Sequence, residues 1–139
     1  MSAPTEPDRG IVVLRAQQSA AATIDQLKSL LERRGILIFA RIDFSGDAAR
    51  AGLAMRPEQM LIFGNPKAGT ALMQAQPLAG LDLPLKALAW EDAEGRTWLA
   101  CNDPHYIVRR HNLPETLAAN LAAVAPLLEQ AAQATAGGA

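Results

Sequence analysis

The sequence predicts an α+β domain in which an antiparallel or mixed sheet carries two long helices on one face. Three observations support this prediction. Short apolar and β-branched runs dominate the middle of the chain, amphipathic helical patterns lie near its two ends, and 139 residues fit a single domain. The predicted order of elements is β-α-β-β-β-β-α. We expect the domain to span residues 10–134, between a flexible arm at 1–9 and a disordered tail at 135–139.

The first strand and helix are predicted from local composition. The β-branched run Ile11–Ala16 indicates a strand. Ser19 is a suitable N-cap for the helix that follows. Gly35 comes directly after two arginines and is therefore expected to end this helix, because glycine readily adopts a left-handed conformation. The apolar residues that recur at helical spacing are Ala20, Ile24, Leu27, Leu30 and Leu31.

The middle of the chain predicts four more strands. Ile36–Asp43 and Met60–Gly64 are the second and third, separated by a short helical turn at 45–52. The segments Lys86–Asp92 and Arg96–Asp103 indicate a hairpin that turns at Glu94-Gly95.

Two further helices complete the prediction. One begins at Asn65-Pro66 and runs to about Ala75. The last begins at Asn112, with Glu115 placed to complete a capping box, and Pro126 should bend it. The apolar face of this last helix is formed by Leu113, Leu117, Leu121, Val124 and Leu128.

Composition excludes several classes of function. The net charge is −1 and no basic stripe is present, which argues against a nucleic-acid partner. One cysteine, Cys101, cannot form an internal disulfide. The first ten residues lack the pattern of a signal peptide, and the apolar runs are shorter than a membrane span. We therefore expect a cytoplasmic protein with no membrane partner.

The stretch FGNPKAGT, residues 63–70, suggests phosphate binding. A P-loop requires its lysine directly after the second glycine, whereas here Thr70 follows Gly69 and Lys67 lies inside the loop. Nucleotide hydrolysis is therefore not expected. Asn65 and Pro66 instead suit the start of a helix, whose amides, together with Lys67, could form a generic anion site. The alternative is that these residues only cap the helix.

Several of these segments resemble the DUF302 family, a domain of unknown function. The resemblance covers roughly residues 10–112 and rests on Ile42-Asp43, Ala51-Gly52-Leu53, Phe63-Gly64-Asn65-Pro66 with Gly69-Thr70, Asp82-Leu83-Pro84-Leu85, and Glu91-Asp92 with Gly95. It implies a TATA-binding-protein-like fold, with helices on a curved antiparallel sheet, and a homodimer, but it supplies no activity. The family usually has a histidine where this chain has Phe44, so any activity that needs this histidine is in doubt here.

The candidate site residues all lie next to glycine- or proline-containing turns. They are Asp43, Asn65, Lys67, Thr70 and Asp82. If they converge, they could bind a small anionic ligand. The same cleft could instead serve an enzyme, in which Asp43 would have a raised pKa. A third possibility is a structural or interaction protein, in which these side chains only stabilise turns.

Other reactive residues support no metal or cofactor. His105 and His111 are six residues apart, which suits neither one face of a helix nor one ion. Cys101 is expected to be a small apolar strand residue. Arg109-Arg110 could bind an acidic group or remain a solvated surface pair. Trp90 and Trp98 should face each other across the hairpin, where they would stabilise the sheet or contribute to a subunit interface.

Overall fold

The computed structural model describes residues 9–135, so the predicted N-terminal arm and C-terminal tail lie outside the described residues, apart from Arg9 and Thr135. The strands are β1 (Ile11–Ala16), β2 (Leu37–Asp43), β3 (Glu58–Gly64), β4 (Leu85–Glu91) and β5 (Thr97–Asn102). The α-helices are α1 (Ala20–Arg33), α2 (Phe44–Arg50), α3 (Pro66–Ala75), α4 (Pro104–Arg110), α5 (Ala118–Ala122) and α6 (Ala125–Gln133). Two 3₁₀ helices span Pro77–Asp82 and Glu115–Leu117.

The five strands form one antiparallel sheet in the order β1-β5-β4-β3-β2. The predicted α+β class and the predicted hairpin are confirmed. In the β4–β5 turn, Asp92 Oδ1 accepts hydrogen bonds from the backbone N–H groups of Glu94 and Arg96, both at 2.9 Å. These two bonds hold the turn closed and thereby set the register of the central strand pair.

Helix α1 forms as its sequence predicts. The Ser19 hydroxyl accepts a hydrogen bond from the backbone N–H of Ala22, and Gly35 has a φ of 73° just beyond the end of the helix. The apolar stripe of α1 is buried except for the partly exposed Leu30, and Leu27 lies at its centre with no exposed surface. Leu61 and Phe63 of β3 are equally buried in the same core. Burial of this stripe against the sheet stabilises the helix more than its propensity could.

The two faces of the sheet differ in what covers them. Helices α1 and α6 contact the face that carries the core residues of β3, β4 and β5. Side chains on the opposite face, which we call the second face, do not belong to the core cluster, although Trp98 and Ala100 of β5 are buried. The core of the described chain therefore lies on one side of the sheet.

The C-terminal part of the chain differs from the prediction. Asn112 does not start a helix: it has a φ of 55° and follows α4, a helix that the sequence analysis did not include. The capping box is therefore wrong, and the Glu115 carboxylate instead contacts Nδ1 of His105 at 3.2 Å. The single long helix is also wrong, since the chain forms a 3₁₀ turn, α5 and α6. Pro126 lies in the first turn of α6, where its missing N–H costs no hydrogen bond.

Candidate functional site

The loop between β3 and α3 starts the helix as its sequence predicts. Asn65 is the N-cap of α3, and its Oδ1 accepts a hydrogen bond from the backbone N–H of Lys67 at 3.0 Å. Pro66 occupies the first turn. This local structure fixes the direction in which α3 leaves the sheet, and α3 forms one wall of a cavity.

The cavity has a volume of about 560 Å³ and lies between the start of β2, the end of β3, the start of β4 and helices α3 and α5. Its lining is mainly apolar. The large apolar side chains that line it are Ile36, Phe39, Met73, Leu83, Leu85, Leu121, Val124 and Leu127. A volume of this size falls in the range of small-molecule sites, roughly 300–1,000 Å³.

Phe39 reaches the cavity because of an irregularity in β2. The register between β2 and β3 shifts between Ile38 and Ala40, which leaves Phe39 without a partner in the ladder. Such bulges re-aim a side chain. The Phe39 ring passes close to Gly64, where an added Cβ would lie 3.4 Å from it. Phe39 and Met73 are 53% and 41% exposed, so two large apolar side chains remain open to solvent at the cavity.

Polar groups of the cavity lining are few. They are the side chains of Arg34, Asn65, Thr70 and Asn120. No aspartate, glutamate, histidine or cysteine is among the described residues that line the cavity. The arrangement thus supplies one cation and several hydrogen-bond donors to a largely apolar space. The described lining residues include none of the residue types that usually act as general acids or bases.

The five predicted site residues do not all meet at this cavity. Asn65 and Thr70 line it, and Asp82 directly precedes the lining residue Leu83. Lys67 is exposed in the first turn of α3 and is not among the lining residues. Asp43 lies at the other end of β2, four residues beyond the lining residue Phe39, which is about 13 Å at the usual rise of a strand.

Asp43 caps α2. Its Oδ1 accepts hydrogen bonds from the backbone N–H of Gly46 at 2.9 Å and from the Ser45 hydroxyl at 2.8 Å. These two bonds, first the one from Gly46, lower the pKa of Asp43. A general base at near-neutral pH would need the opposite shift.

Asp82 forms a partly buried link that the sequence did not predict. His111 Nε2 lies 2.6 Å from Asp82 Oδ2, and Arg110 donates to both carboxylate oxygens at 3.0 and 3.2 Å. The His111 side chain is only 10% exposed. These contacts tie the 3₁₀ helix Pro77–Asp82 to the end of α4. They also place Arg110 of the predicted cationic pair against a carboxylate of the same chain.

The remaining reactive residues lie apart from one another. Burial raises the pKa of the Cys101 thiol to about 12, so the reactive thiolate is scarce at neutral pH. His105 pairs with Glu115, whereas His111 pairs with Asp82. Within residues 9–135, no group of three or more His, Cys, Asp and Glu side chains could hold a metal ion.

None of the helices in the described part of the chain is long and apolar enough to cross a membrane. The sequence nevertheless matches part of three curated proteins that are named as ion channels. A curated protein of Brucella suis, the fluoride-specific ion channel FluC 1, is 43% identical over 106 residues, which are 76% of this chain and 42% of that protein. FluC 1 of Brucella abortus and FluC 2 of Brucella melitensis are also 43% identical over 106 residues. The chain thus spans about two fifths of the length of these relatives.

One solved structure and one family model extend the comparison. The crystal structure of an uncharacterized conserved DUF302 protein from Bacillus stearothermophilus superposes with a TM-score of 0.72 at 19% identity, and the match covers 89% of this chain and 96% of that chain. This likeness shows the fold. The model of the family described as domain of unknown function DUF302 matches residues 12–134. The chain therefore belongs to the DUF302 family.

Proposed function

We propose that this domain binds a small, mainly apolar molecule with one polar or anionic end in the cavity beside α3. The observation that carries the proposal is the cavity of about 560 Å³ with its apolar lining. Burial of apolar ligand surface contributes roughly 25 cal/mol per Å², so a lining of this kind favours an apolar ligand body. The partly exposed Phe39 and Met73 offer surface that such a ligand would cover.

The polar lining supports a carboxylate as the other end of the ligand. Arg34 is the only charged residue among the described residues that line the cavity, and Thr70 adds a hydroxyl donor. A guanidinium binds a carboxylate through two parallel hydrogen bonds. The ligand would therefore be an aliphatic or aromatic acid rather than a neutral hydrocarbon.

Binding is favoured over catalysis by the absence of acid–base side chains among the described lining residues. The enzyme hypothesis depended on Asp43, which caps α2 at the far end of β2 and has a lowered pKa. The site thus offers pre-positioned donors but no group poised to exchange a proton near pH 7.

Substitutions of Gly69 test whether the cavity binds the ligand. It lies in α3 and lines the cavity, and a Cβ added there would make only ordinary contacts, 3.9 Å from Leu83 Cδ1 and 4.0 Å from Met73 Cε. Gly69→Leu should therefore fill part of the cavity while the fold persists. Gly69→Ala is the matched control, because it adds the same backbone restraint and leaves most of the space open. Both variants should gain up to about 1 kcal/mol, since glycine is a poor helix former.

The probes are octanoate, benzoate, octanol and inorganic phosphate, measured by thermal shift and calorimetric titration. At 100 times its dissociation constant, a bound acid should stabilise the native protein by about 2.7 kcal/mol. We expect a response to the acids in the wild type and in Gly69→Ala, and its loss in Gly69→Leu. Equal binding to all three proteins, or no binding to any of them, would contradict the proposal and favour an interaction role.

The curated relatives favour a second candidate function. Their names describe fluoride-specific ion channels, and the matching 106 residues are 42% of the Brucella suis protein. We infer that the domain also acts beside such a channel, as an accessory part without a spanning helix in its described residues. Fluoride efflux from vesicles should differ between the whole Brucella channel and one that lacks these 106 residues. Identical efflux rates, and identical effects of the acids above, would contradict this role.

A further inference from the structure

Two leucines project into solvent from the first 3₁₀ helix. Leu78 and Leu81 are three residues apart, so they lie on one face of a helix that has three residues per turn. Their exposed fractions are 61% and 78%, whereas Ala79 on another face is fully buried. Asp82, three residues after Ala79, directs its carboxylate to Arg110. The helix therefore places its leucines outside and its charged side chain against the protein.

These leucines extend an apolar surface that begins at the cavity. Met73 of α3 lies next to the 3₁₀ helix, since a Cβ added at Gly80 would be 3.3 Å from the Met73 sulfur. Met73 and Phe39 line the cavity and remain open to solvent. We call Phe39, Met73, Leu78 and Leu81 the apolar patch. Large apolar side chains that are exposed together, with polar residues around them, mark a surface that docks on a protein or a membrane.

The charges around the apolar patch are almost all positive. The chain segments at this end are those where β2 starts, β3 ends and β4 starts, together with the end of α4. They span residues 34–36, 64–68, 76–86 and 109–113. Their cations are Arg34, Lys67, Lys86, Arg109 and Arg110, and the carboxylate among them is Asp82, which Arg110 and His111 already contact. Among the described residues, no carboxylate forms an ion pair with Arg34, Lys67 or Arg109.

The opposite end of the sheet is mainly acidic. Its segments are residues 43–58 and 91–96. They carry the carboxylates of Asp43, Asp47, Glu58, Glu91, Asp92 and Glu94 and the cations of Arg50, Arg56 and Arg96. This end also has an exposed leucine, Leu53, at 67%, so the two ends differ chiefly in charge. An anionic surface would therefore attract the end with the apolar patch and repel the other end.

We propose that the apolar patch docks on a membrane surface that contains anionic lipids, with Leu78 and Leu81 inserted among the headgroups. Basic side chains beside inserted apolar ones are the features that hold a protein in the membrane interface. A fluid bilayer accepts protruding leucines without a matching pocket, which favours lipid over a protein partner. Such docking needs no spanning helix, so the short apolar runs that argued against a membrane partner do not oppose it.

Cosedimentation with vesicles tests this docking. One set of vesicles contains phosphatidylcholine alone, and the other contains equal parts of phosphatidylcholine and phosphatidylglycerol. We expect the wild type to bind the second set, to bind the first set far more weakly, and to dissociate as salt is added. The double variant Leu78→Gln with Leu81→Gln should bind at least roughly tenfold more weakly. Leu53→Gln is the matched control and should bind as the wild type does.

Charge variants test the electrostatic part of the proposal. Lys67→Gln and Arg109→Gln should each weaken binding to the anionic vesicles roughly fivefold, which is the usual contribution of one basic residue near such a surface. Arg56→Gln removes an exposed cation from the acidic end and should have no effect. Because all of these side chains are exposed, the variants should melt at the wild-type temperature.

The docking and the cavity ligand are tested separately. Gly69→Leu, which fills the cavity, should still bind the anionic vesicles, so the ligand proposal can fail while the docking proposal stands. A wild-type protein that binds neither set of vesicles, or binds both sets equally, would overturn the docking proposal. Equal weakening by Leu53→Gln and by the Leu78 and Leu81 double variant would overturn it as well, because binding would then not depend on the apolar patch.

Discussion

Asp92 shows how one residue holds two parts of the hairpin together. Its Oδ1 accepts from two backbone N–H groups of the turn, and its Oδ2 accepts from the Trp98 indole at 2.9 Å. These hydrogen bonds, first the one from Trp98, lower the pKa of Asp92 to about 2. Asp43 and Asn65 stabilise the backbone in the same way as Asp92. Each side chain accepts a hydrogen bond from a backbone N–H two or three residues further along the chain.

We expect protonation of Asp92 to lower the free energy of unfolding in acid. Its pKa falls from an ordinary 3.8 to about 2 on folding, so between these values the unfolded chain binds more protons than the native one. The stabilisation is therefore complete above about pH 4 and is lost as the pH falls towards 2. Asp92→Asn should flatten this part of the profile, measured by urea unfolding at several pH values. Glu94→Gln in the same turn is the control, and a flattening of equal size there would contradict the prediction.

At the scale of elements, the two 3₁₀ helices are held in place by side-chain contacts to α4. The Asp82–His111 contact fixes the first of them to the end of α4, and the His105–Glu115 contact links the second to the start of α4. The two links differ in burial, because the His111 and Asp82 side chains are 10% and 23% exposed and those of His105 and Glu115 are 52% and 58% exposed. Asp82, in the less exposed of the two links, directly precedes Leu83 and Pro84, which line the cavity.

A pair of double-mutant cycles should separate these two links. Asp82→Ala and His111→Ala should be coupled by about 0.5–3 kcal/mol in the free energy of unfolding, because water screens this pair weakly. His105→Ala and Glu115→Ala should be coupled by less than about 0.5 kcal/mol, because both side chains are half-exposed. Urea unfolding of the single and double variants measures both values. Equal coupling in the two cycles would show that burial of the first pair has no energetic consequence.

At the scale of the whole molecule, the sheet separates the core from the second face. The core side carries α1 and α6, while the second face carries apolar and charged side chains outside the core cluster. The cavity lies at the end of the sheet where β2 begins and β3 ends.

The one-sided core predicts which large apolar residues determine stability. Leu27 is fully buried at the centre of α1, so Leu27→Ala should cost about 2–5 kcal/mol through lost burial and the remaining cavity. Leu37 is 49% exposed, so Leu37→Ala should change the free energy of unfolding by less than about 0.5 kcal/mol. Urea unfolding at neutral pH compares the two variants. A similar loss in both would mean that the core is not confined to the α1 side.

The structures whose hydrogen bonds close within a few residues could be predicted from the sequence alone. The Ser19 cap, the turn after Arg34, the Asn65-Pro66 start of α3 and the β4–β5 hairpin are all present where the residues predict them. Local caps and turns of this kind depend on neighbouring residues, so their signals survive in a single sequence. The same locality explains why a disturbance of the last helix at Pro126 could be anticipated but the helix α4 could not, because the seven residues of α4 carry little apolar periodicity.

Contacts between residues that are distant in the sequence depend on how the elements pack, and local sequence patterns do not predict them. Asp82 and His111 are 29 residues apart, and Phe39 of β2 and Leu127 of α6 line the same cavity. The Phe39 bulge also escaped the sequence analysis, because a register shift depends on the partner strand. Such pairings follow from the packing of apolar faces, which composition specifies only in outline.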